Sequence, residues 1–278
     1  MARLFKAFLF KISKDITFRI TLIIGAGIAV FMTLLYLGLQ SLAADEFGEG
    51  VKFLSGQGML LSSMSPMQNF GIAIPVNLIT FTCLEFTQGT IRNKIIAGHS
   101  KFKIYASLYL SGLVFTFLLL GTYILVCTGL GTIFGGFNLD DMVYTGLLSG
   151  QVSAIHIVKM VVICIFTYVS IVSFTIFFAT LFRNIGPTIP IVIIGLMMCY
   201  LFASIFSVMA VMFEDSETAL MVLRIIDPLY AISSSETNDA GIIQMSNATF
   251  IAGIANNLVF AGIFFAFGSL IFTKRDIK

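Results

Sequence analysis

The sequence predicts an all-α integral membrane protein with six transmembrane helices, an N-terminal interfacial helix, and both termini in the cytoplasm. Of its 278 residues, 58% are hydrophobic and only 11% are charged, against roughly 25% charged residues in a soluble protein. A helix crosses the roughly 30 Å hydrocarbon core with about 20 apolar residues, and six runs are long enough. They are Ile20 to Leu42, Phe70 to Phe86, Ile104 to Phe134, Ile157 to Leu181, Pro187 to Val211 and Phe250 to Phe272.

Six such runs leave no room for a soluble domain, so residues 1–278 are expected to form a single transmembrane domain. The runs lack an alternation of period two, which argues against a transmembrane β-barrel. The link between the fourth and fifth runs, Phe182 to Gly186, is very short. The helices on either side of it are therefore predicted to be antiparallel neighbours.

The distribution of basic residues predicts the orientation. With both termini inside, all but three of the 16 Lys and Arg residues lie on the cytoplasmic side, the exceptions being Lys52, Lys159 and Arg224. Such an excess of inside positive charge is what the positive-inside rule requires. The basic character of the chain therefore reflects its cytoplasmic face, and no motif supports a nucleic-acid partner.

The N-terminal residues 1–15 are predicted to form an amphipathic helix at the membrane surface. Leu4, Phe5, Phe8, Leu9 and Ile12 share one helical face, and basic residues gather on the opposite one. A basic anchor that only sets topology is the simpler alternative. A cleavable signal peptide is disfavoured because the apolar run that follows is about twice the usual length.

Three connections are expected on the outer side. Residues 43–69 form a connection that is rich in Gly, Ser and Met, and residues 137–156 form a second one. The longest connection, 213–248, contains an apolar middle from Leu220 to Ile226. We expect part of it to re-enter the membrane interface.

A short basic amphipathic segment separates the second and third runs. If Gly89 to Ala97 is helical, Ile91 and Ile95 share an apolar face while Arg92, Asn93 and Lys94 lie away from it. Gly98 is suited to a left-handed helix stop, and Ser100 to the N-cap of the next helix. The segment is therefore predicted to be a surface helix of about two turns.

The residue content argues against several chemistries. The chain has no G-x-x-x-x-G-K-[ST] phosphate loop and no intramembrane pair of His, Asp or Glu. Its four cysteines lie in four different runs and its two histidines on opposite sides, so neither set predicts a metal site. The chain is therefore not expected to be an enzyme or to carry a cofactor.

Polar side chains inside the runs are mostly expected to form hydrogen bonds between helices. Among them, the amides Asn77, Asn256 and Asn257 are the candidates for a substrate path.

Several of these features together resemble the permease subunit of type-2 ATP-binding-cassette exporters. The sharpest is E-F-T-Q-G-T-I-R-N-K-I-I-A-G-H-S-K-F-K-I-Y from Glu85 to Tyr105. It accompanies the N-terminal helix, the six spans, Asp-Pro-Leu-Tyr from Asp227 and a terminal F-T-K-R-D-I-K. The topological likeness covers the whole chain.

The resemblance implies that Gly89–Ala97 is a coupling helix docking into a separate ATPase subunit. The implied docking residues are Glu85, Gly89, Thr90, Arg92, Asn93, Lys94, Lys101 and Lys103. Two ATPase subunits, which would carry the ATP and Mg²⁺, and a second permease chain, identical or related, would complete the working unit.

The resemblance also implies an exporter in the plasma membrane of a bacterium, with membrane lipid around it. The chain has no Trp, unlike the aromatic lining of polysaccharide exporters in this class. An amphiphilic peptide, a drug-like compound or a lipid is therefore the expected substrate. The alternatives are a self-contained channel or secondary transporter, or a membrane enzyme or assembly factor. The absence of an internal repeat argues against a secondary transporter built from inverted repeats.

Overall fold

The computed structural model describes most of the chain. The described residues are 5–8, 10, 14, 16–47, 54–66, 71, 73–138, 143–145, 148–212, 236–237 and 242–275.

Eight helices account for most of the described residues. They are α1 (Ile16–Phe47), α2 (Gly56–Met64), α3 (Ala73–Thr87), α4 (Thr90–Ile96), α5 (Lys101–Gly135), α6 (Ala154–Phe182), α7 (Ile185–Met212) and α8 (Asn247–Lys274). Five of these, α1, α5, α6, α7 and α8, are long and apolar enough to cross a membrane. The expectation of a helical, multi-pass membrane protein is thus confirmed.

The sixth predicted span is the short helix α3. It has 15 residues and so rises about 22 Å, against roughly 30 Å for the hydrocarbon core. A helix of this length crosses only where the bilayer thins or flanking residues complete the span. The six-span count therefore remains a prediction.

Helix α6 lies at the centre of the bundle. It packs against α8, α3, α7 and α5, and it is more deeply buried than the other four long helices. Hydrogen bonds to α8 strengthen the largest of these contacts. Ser170 Oγ lies 2.8 Å from the carbonyl oxygen of Asn257 and 2.9 Å from its Oδ1.

At one end of the bundle, the chain forms an element that the sequence did not predict. Residues 43–69 were predicted only as a connection between spans; α2 lies within them, and most of its residues are buried. The backbone N–H of Gly58 donates to Ser55 Oγ over 3.1 Å, which caps the start of α2. Gly135 on α5 lies so close to the carbonyl of Leu54 that a side chain there would collide with it.

The described residues also include four short strands, which the sequence did not predict, in a chain that is otherwise helical. They are β1 (Val143–Thr145), β2 (Leu148–Val152), β3 (Glu236–Thr237) and β4 (Ile242–Gln244). Their order is β1-β2-β4-β3; β2 and β4 are parallel, and the other two pairs are antiparallel. Strands of two to five residues are too short for a recognisable alternation of side chains.

Two predicted segments are only partly described. The described residues of the N-terminal segment, 5–8, 10 and 14, are helical, and Phe8 is buried. In the predicted connection 213–248, the apolar stretch Leu220 to Ile226 lies outside the described residues.

Candidate functional site

The predicted coupling segment is a distinct short helix with a glycine at each end. Helix α4 spans Thr90–Ile96, one residue shorter at each end than the predicted Gly89–Ala97. Gly89 has φ +67° and Gly98 has φ +84°. Both values lie in the left-handed region that glycine adopts at little cost, so these two glycines let the chain turn sharply into and out of α4.

The buried carboxylate of Glu85 holds α4 against the end of α3. Glu85 is 0% exposed, and its Oε2 lies 2.9 Å from Lys94 Nζ. The hydroxyl of Thr90 lies 2.7 Å from the same oxygen. Ile91, on the inner side of α4, is fully buried. The helix is therefore fixed by an ion pair, a hydrogen bond and an apolar contact together.

The N-terminal segment forms the other wall around Lys94. Its Nζ lies 3.3 Å from the ring centroid of Phe8, which is itself buried. A desolvated ammonium over an aromatic face is stabilised by roughly 2 kcal/mol. Lys94 thus lies between a carboxylate and a ring and connects the N-terminal segment, α3 and α4.

This arrangement differs from the predicted orientation of Lys94. The sequence pattern placed Lys94 with Arg92 on the exposed basic face, but the Lys94 side chain is only 19% exposed. Arg92 and Asn93 are exposed, as is Ile96. A long lysine stem can bend back toward the preceding helix, and helical spacing alone does not reveal this. The outward face of α4 is therefore formed by Arg92, Asn93 and Ile96.

Lys101 and Lys103, at the start of α5, occupy different environments. The Nζ atom of Lys101 donates to the carbonyl oxygens of Thr273 and Arg275, over 3.2 and 3.1 Å. It therefore binds the C-terminal end of α8, where the helix dipole favours a cation. Lys103 is exposed to solvent.

Two further basic residues of this region were not among the predicted site residues. Arg183, in the turn between α6 and α7, lies with its guanidinium 5.6 Å from the Phe86 ring centroid. Arg275 donates from Nη1 to the carbonyl oxygen of Leu181 over 2.7 Å. The shortness of the α6–α7 link was a usable signal, because it places Arg183 at the end of two membrane helices.

Arg183 and Arg275 also interact electrostatically. Burial and the neighbouring charge of Arg275 lower the pKa of Arg183 from its ordinary value. A guanidinium nevertheless stays protonated in proteins. Both side chains are therefore cationic at neutral pH.

The three candidate path amides lie on α3 and α8 and have different surroundings. Asn77 Oδ1 accepts from the Thr21 hydroxyl over 2.6 Å, and Asn257 is completely buried against α6. The side-chain nitrogen of Asn256 is buried with no hydrogen-bond partner among the described residues. Asn77 and Asn257 thus link helices, as expected for most polar groups in the bundle.

The cysteines and histidines assemble no metal site within the part of the chain that the structure describes. Cys83, Cys127, Cys164 and Cys199 are free thiols on four different helices. His99 is exposed beyond α4, whereas His156 is buried near the start of α6.

Comparison with known proteins returns no match among family models, curated proteins or solved structures.

Proposed function

We propose that the chain is the transmembrane subunit of an ATP-driven exporter, similar to the permeases of type-2 ATP-binding-cassette systems. A separate ATPase would dock on α4, and the substrate would be an amphiphilic peptide, drug-like compound or lipid. The observation that carries the proposal is the attachment of α4 to the bundle through an ion pair with the buried carboxylate of Glu85. Its outward face remains available for a partner through Arg92, Asn93 and Ile96.

Rigid attachment matters because docking has to transmit free energy into the membrane domain. Moving a two-state equilibrium from 1:99 to 99:1 takes about 5.5 kcal/mol of differential binding. A helix fixed by an ion pair, a hydrogen bond and a buried isoleucine transmits a displacement, whereas a loosely tethered loop absorbs it. In the proposed cycle, ATP closes the ATPase pair, the two α4 helices approach each other, and the permease pair changes from inward to outward opening.

The distribution of charge supports the orientation that this proposal needs. Lys101, Arg183 and Arg275 meet at the same end of the bundle as α4. Under the positive-inside rule this end faces the cytoplasm, which is where an ATPase would be found.

Charge reversal on the outward face of α4 is the most direct test. Arg92→Glu should abolish co-purification of a vanadate-sensitive ATPase from native membranes, and ATP-dependent export should be lost with it. Charge-assisted contacts of this kind contribute roughly 1.5–3 kcal/mol each. Lys94 is less suitable for this test because its replacement also breaks the internal ion pair.

Lys6→Glu is the matched control, since Lys6 is an exposed cation outside α4. It should preserve both co-purification and export. If Arg92→Glu behaves like Lys6→Glu, α4 is not the docking surface. ATP-independent transport by the purified chain in proteoliposomes would instead favour a channel or secondary transporter.

The orientation can be tested separately with an impermeant thiol reagent. In a background with the four cysteines replaced, Arg92→Cys should resist labelling from outside intact cells and react after permeabilisation. Labelling in intact cells would place α4 outside and contradict the proposal.

A further inference from the structure

Three basic residues at three different helix ends are linked by hydrogen bonds at the end of the bundle that carries α4. We call Lys101, Arg183 and Arg275 the cation cluster. Lys101 Nζ donates to the carbonyl oxygen of Arg275 over 3.1 Å. Arg275 donates to the carbonyl oxygen of Leu181, two residues before Arg183, over 2.7 Å. The cluster thus links the start of α5 with the ends of α6 and α8.

Like charges repel within this cluster. Burial and, after it, the charge of Arg275 lower the pKa of Arg183. The carbonyl groups at the helix ends offset part of this repulsion. An anion between the guanidinium groups would offset far more of it, since guanidinium and phosphate form paired, charge-assisted hydrogen bonds.

The backbone of Arg183 adds an independent argument. It is the one non-glycine residue with positive φ among the described residues, at +59°. An L-residue in this conformation is strained relative to glycine, and such strain is concentrated at functional sites. The chain therefore maintains a long cationic side chain where glycine would be easier to accommodate, with its guanidinium over the Phe86 ring.

The cluster lies at the ends of three long apolar helices, where lipid headgroups are expected. Arg183 and Arg275 directly follow α6 and α8, and Lys101 begins α5. The cluster therefore lies at the boundary where long basic side chains meet the phosphates. Phe182 and Phe102, the chain neighbours of Arg183 and Lys101, are 38% and 50% exposed, and they provide apolar surface for acyl chains.

We propose that the cation cluster binds the phosphate of an anionic phospholipid at this end of the bundle. The proposal rests on the membrane-spanning character of the chain and not on the exporter function, so either can fail without the other. Basic pockets between membrane helices are suited to acidic headgroups.

The test uses the full-length purified chain without any partner. It is incorporated into nanodiscs of phosphatidylcholine with increasing phosphatidylglycerol, and retained lipid is measured by native mass spectrometry alongside Tm. The triple variant Lys101→Gln/Arg183→Gln/Arg275→Gln should lose roughly a hundredfold in affinity for phosphatidylglycerol. The Tm increase that this lipid gives the parent should disappear.

The control removes the same amount of charge elsewhere. Lys6→Gln/Lys14→Gln/Arg92→Gln neutralises three exposed cations and should lose less affinity than the cluster variant, because these side chains do not hold one phosphate together through charge-assisted hydrogen bonds. Equal losses in the two triple variants would show only general attraction to an acidic surface and would overturn the proposal. Equal stabilisation of the parent by free inorganic phosphate in phosphatidylcholine discs would overturn the lipid assignment.

A second variant addresses the risk that the triple variant does not fold. Arg183→Gly removes the cation and relieves the positive φ, so its Tm in pure phosphatidylcholine should equal or exceed that of the parent. Its response to phosphatidylglycerol should nevertheless be weaker by several-fold. An unchanged lipid response in this stable variant would exclude Arg183 from the site and contradict the proposal.

Discussion

Neutralising Glu85 should release α4 from the bundle. The Glu85→Gln substitution keeps the shape of the side chain and an oxygen for the Thr90 hydroxyl, but it removes the charge that faces Lys94 at 2.9 Å. Removing one partner of a buried pair typically costs about 3–5 kcal/mol, because the other charge is left uncompensated. Lys94 retains 19% exposure and contacts Phe8, so we expect the lower end, about 3 kcal/mol.

The double variant Glu85→Gln/Lys94→Met shows how much of the destabilisation comes from leaving the Lys94 charge without its partner and how much from losing the ion pair itself. With both charges absent, no buried ion remains, and a methionine sulfur or methyl group still packs favourably on the Phe8 ring. We expect the double variant to be within about 1 kcal/mol of the parent. The coupling energy from the double-mutant cycle should then be at least about 2 kcal/mol.

Two measurements test these predictions for the single and the double variant. Reversible unfolding in mixed detergent micelles gives the free energies, and hydrogen exchange reports on α4 itself. The N–H groups of Asn93 and Ala97 donate to Gly89 and Asn93 carbonyls, both over 3.0 Å. Their protection should fall by about a hundredfold in Glu85→Gln and recover in the double variant.

The exposed Arg92 provides the control for this cycle. Arg92→Gln should stay within about 0.5 kcal/mol of the parent, as surface substitutions usually do. If Glu85→Gln is equally mild, or if the two single substitutions simply add, Glu85 does not hold α4 and the reasoning about transmission is wrong.

Two glycine substitutions and two amide substitutions test the rest of the bundle. Gly135→Ala should destabilise the protein by about 2 kcal/mol or more, because its new methyl group would collide with the Leu54 carbonyl. Gly129 faces open space, so Gly129→Ala should be neutral or stabilising. Equal Tm values for the two variants would refute the close approach of Leu54 to Gly135. Asn257→Ala should cost about 1–3 kcal/mol of stability through lost hydrogen bonds to α6. Asn256→Ala should be nearly neutral, because its amide nitrogen has no partner in the described structure. If Asn256→Ala lowers Tm more than Asn257→Ala does, Asn257 is not the amide that links α8 to α6.

Strong local signals made the helices and the bounds of α4 predictable. The apolar runs locate five long helices, since apolar runs of this length are characteristic of membrane spans. The glycines at 89 and 98 indicate the limits of α4, where both have positive φ. Both features depend on residues that are close together in the chain, so a single sequence is enough to predict them.

Features that depend on contacts between distant segments were not predictable. Helix α2 has a weak sequence pattern and packs against α5, where Leu54, just before α2, approaches Gly135. Lys94 turns inward toward Glu85, nine positions earlier, and toward Phe8, 86 positions away in the chain. Arg183 meets Arg275 only after α6 and α8 have packed together. The spacing of residues along the sequence does not predict contacts of this kind.

The ion pair under α4 raises the question of why this chain buries charge at all. Apolar residues of similar volume are often as stabilising as a buried pair, so stability alone does not explain Glu85 and Lys94. An ion pair differs from an apolar contact in being directional, because displacement of α4 by one residue would separate Lys94 from the carboxylate and leave both charges buried. An apolar contact would tolerate such a slip. We infer that the pair fixes the register of α4 against α3, and therefore the direction in which Arg92 and Asn93 face a partner.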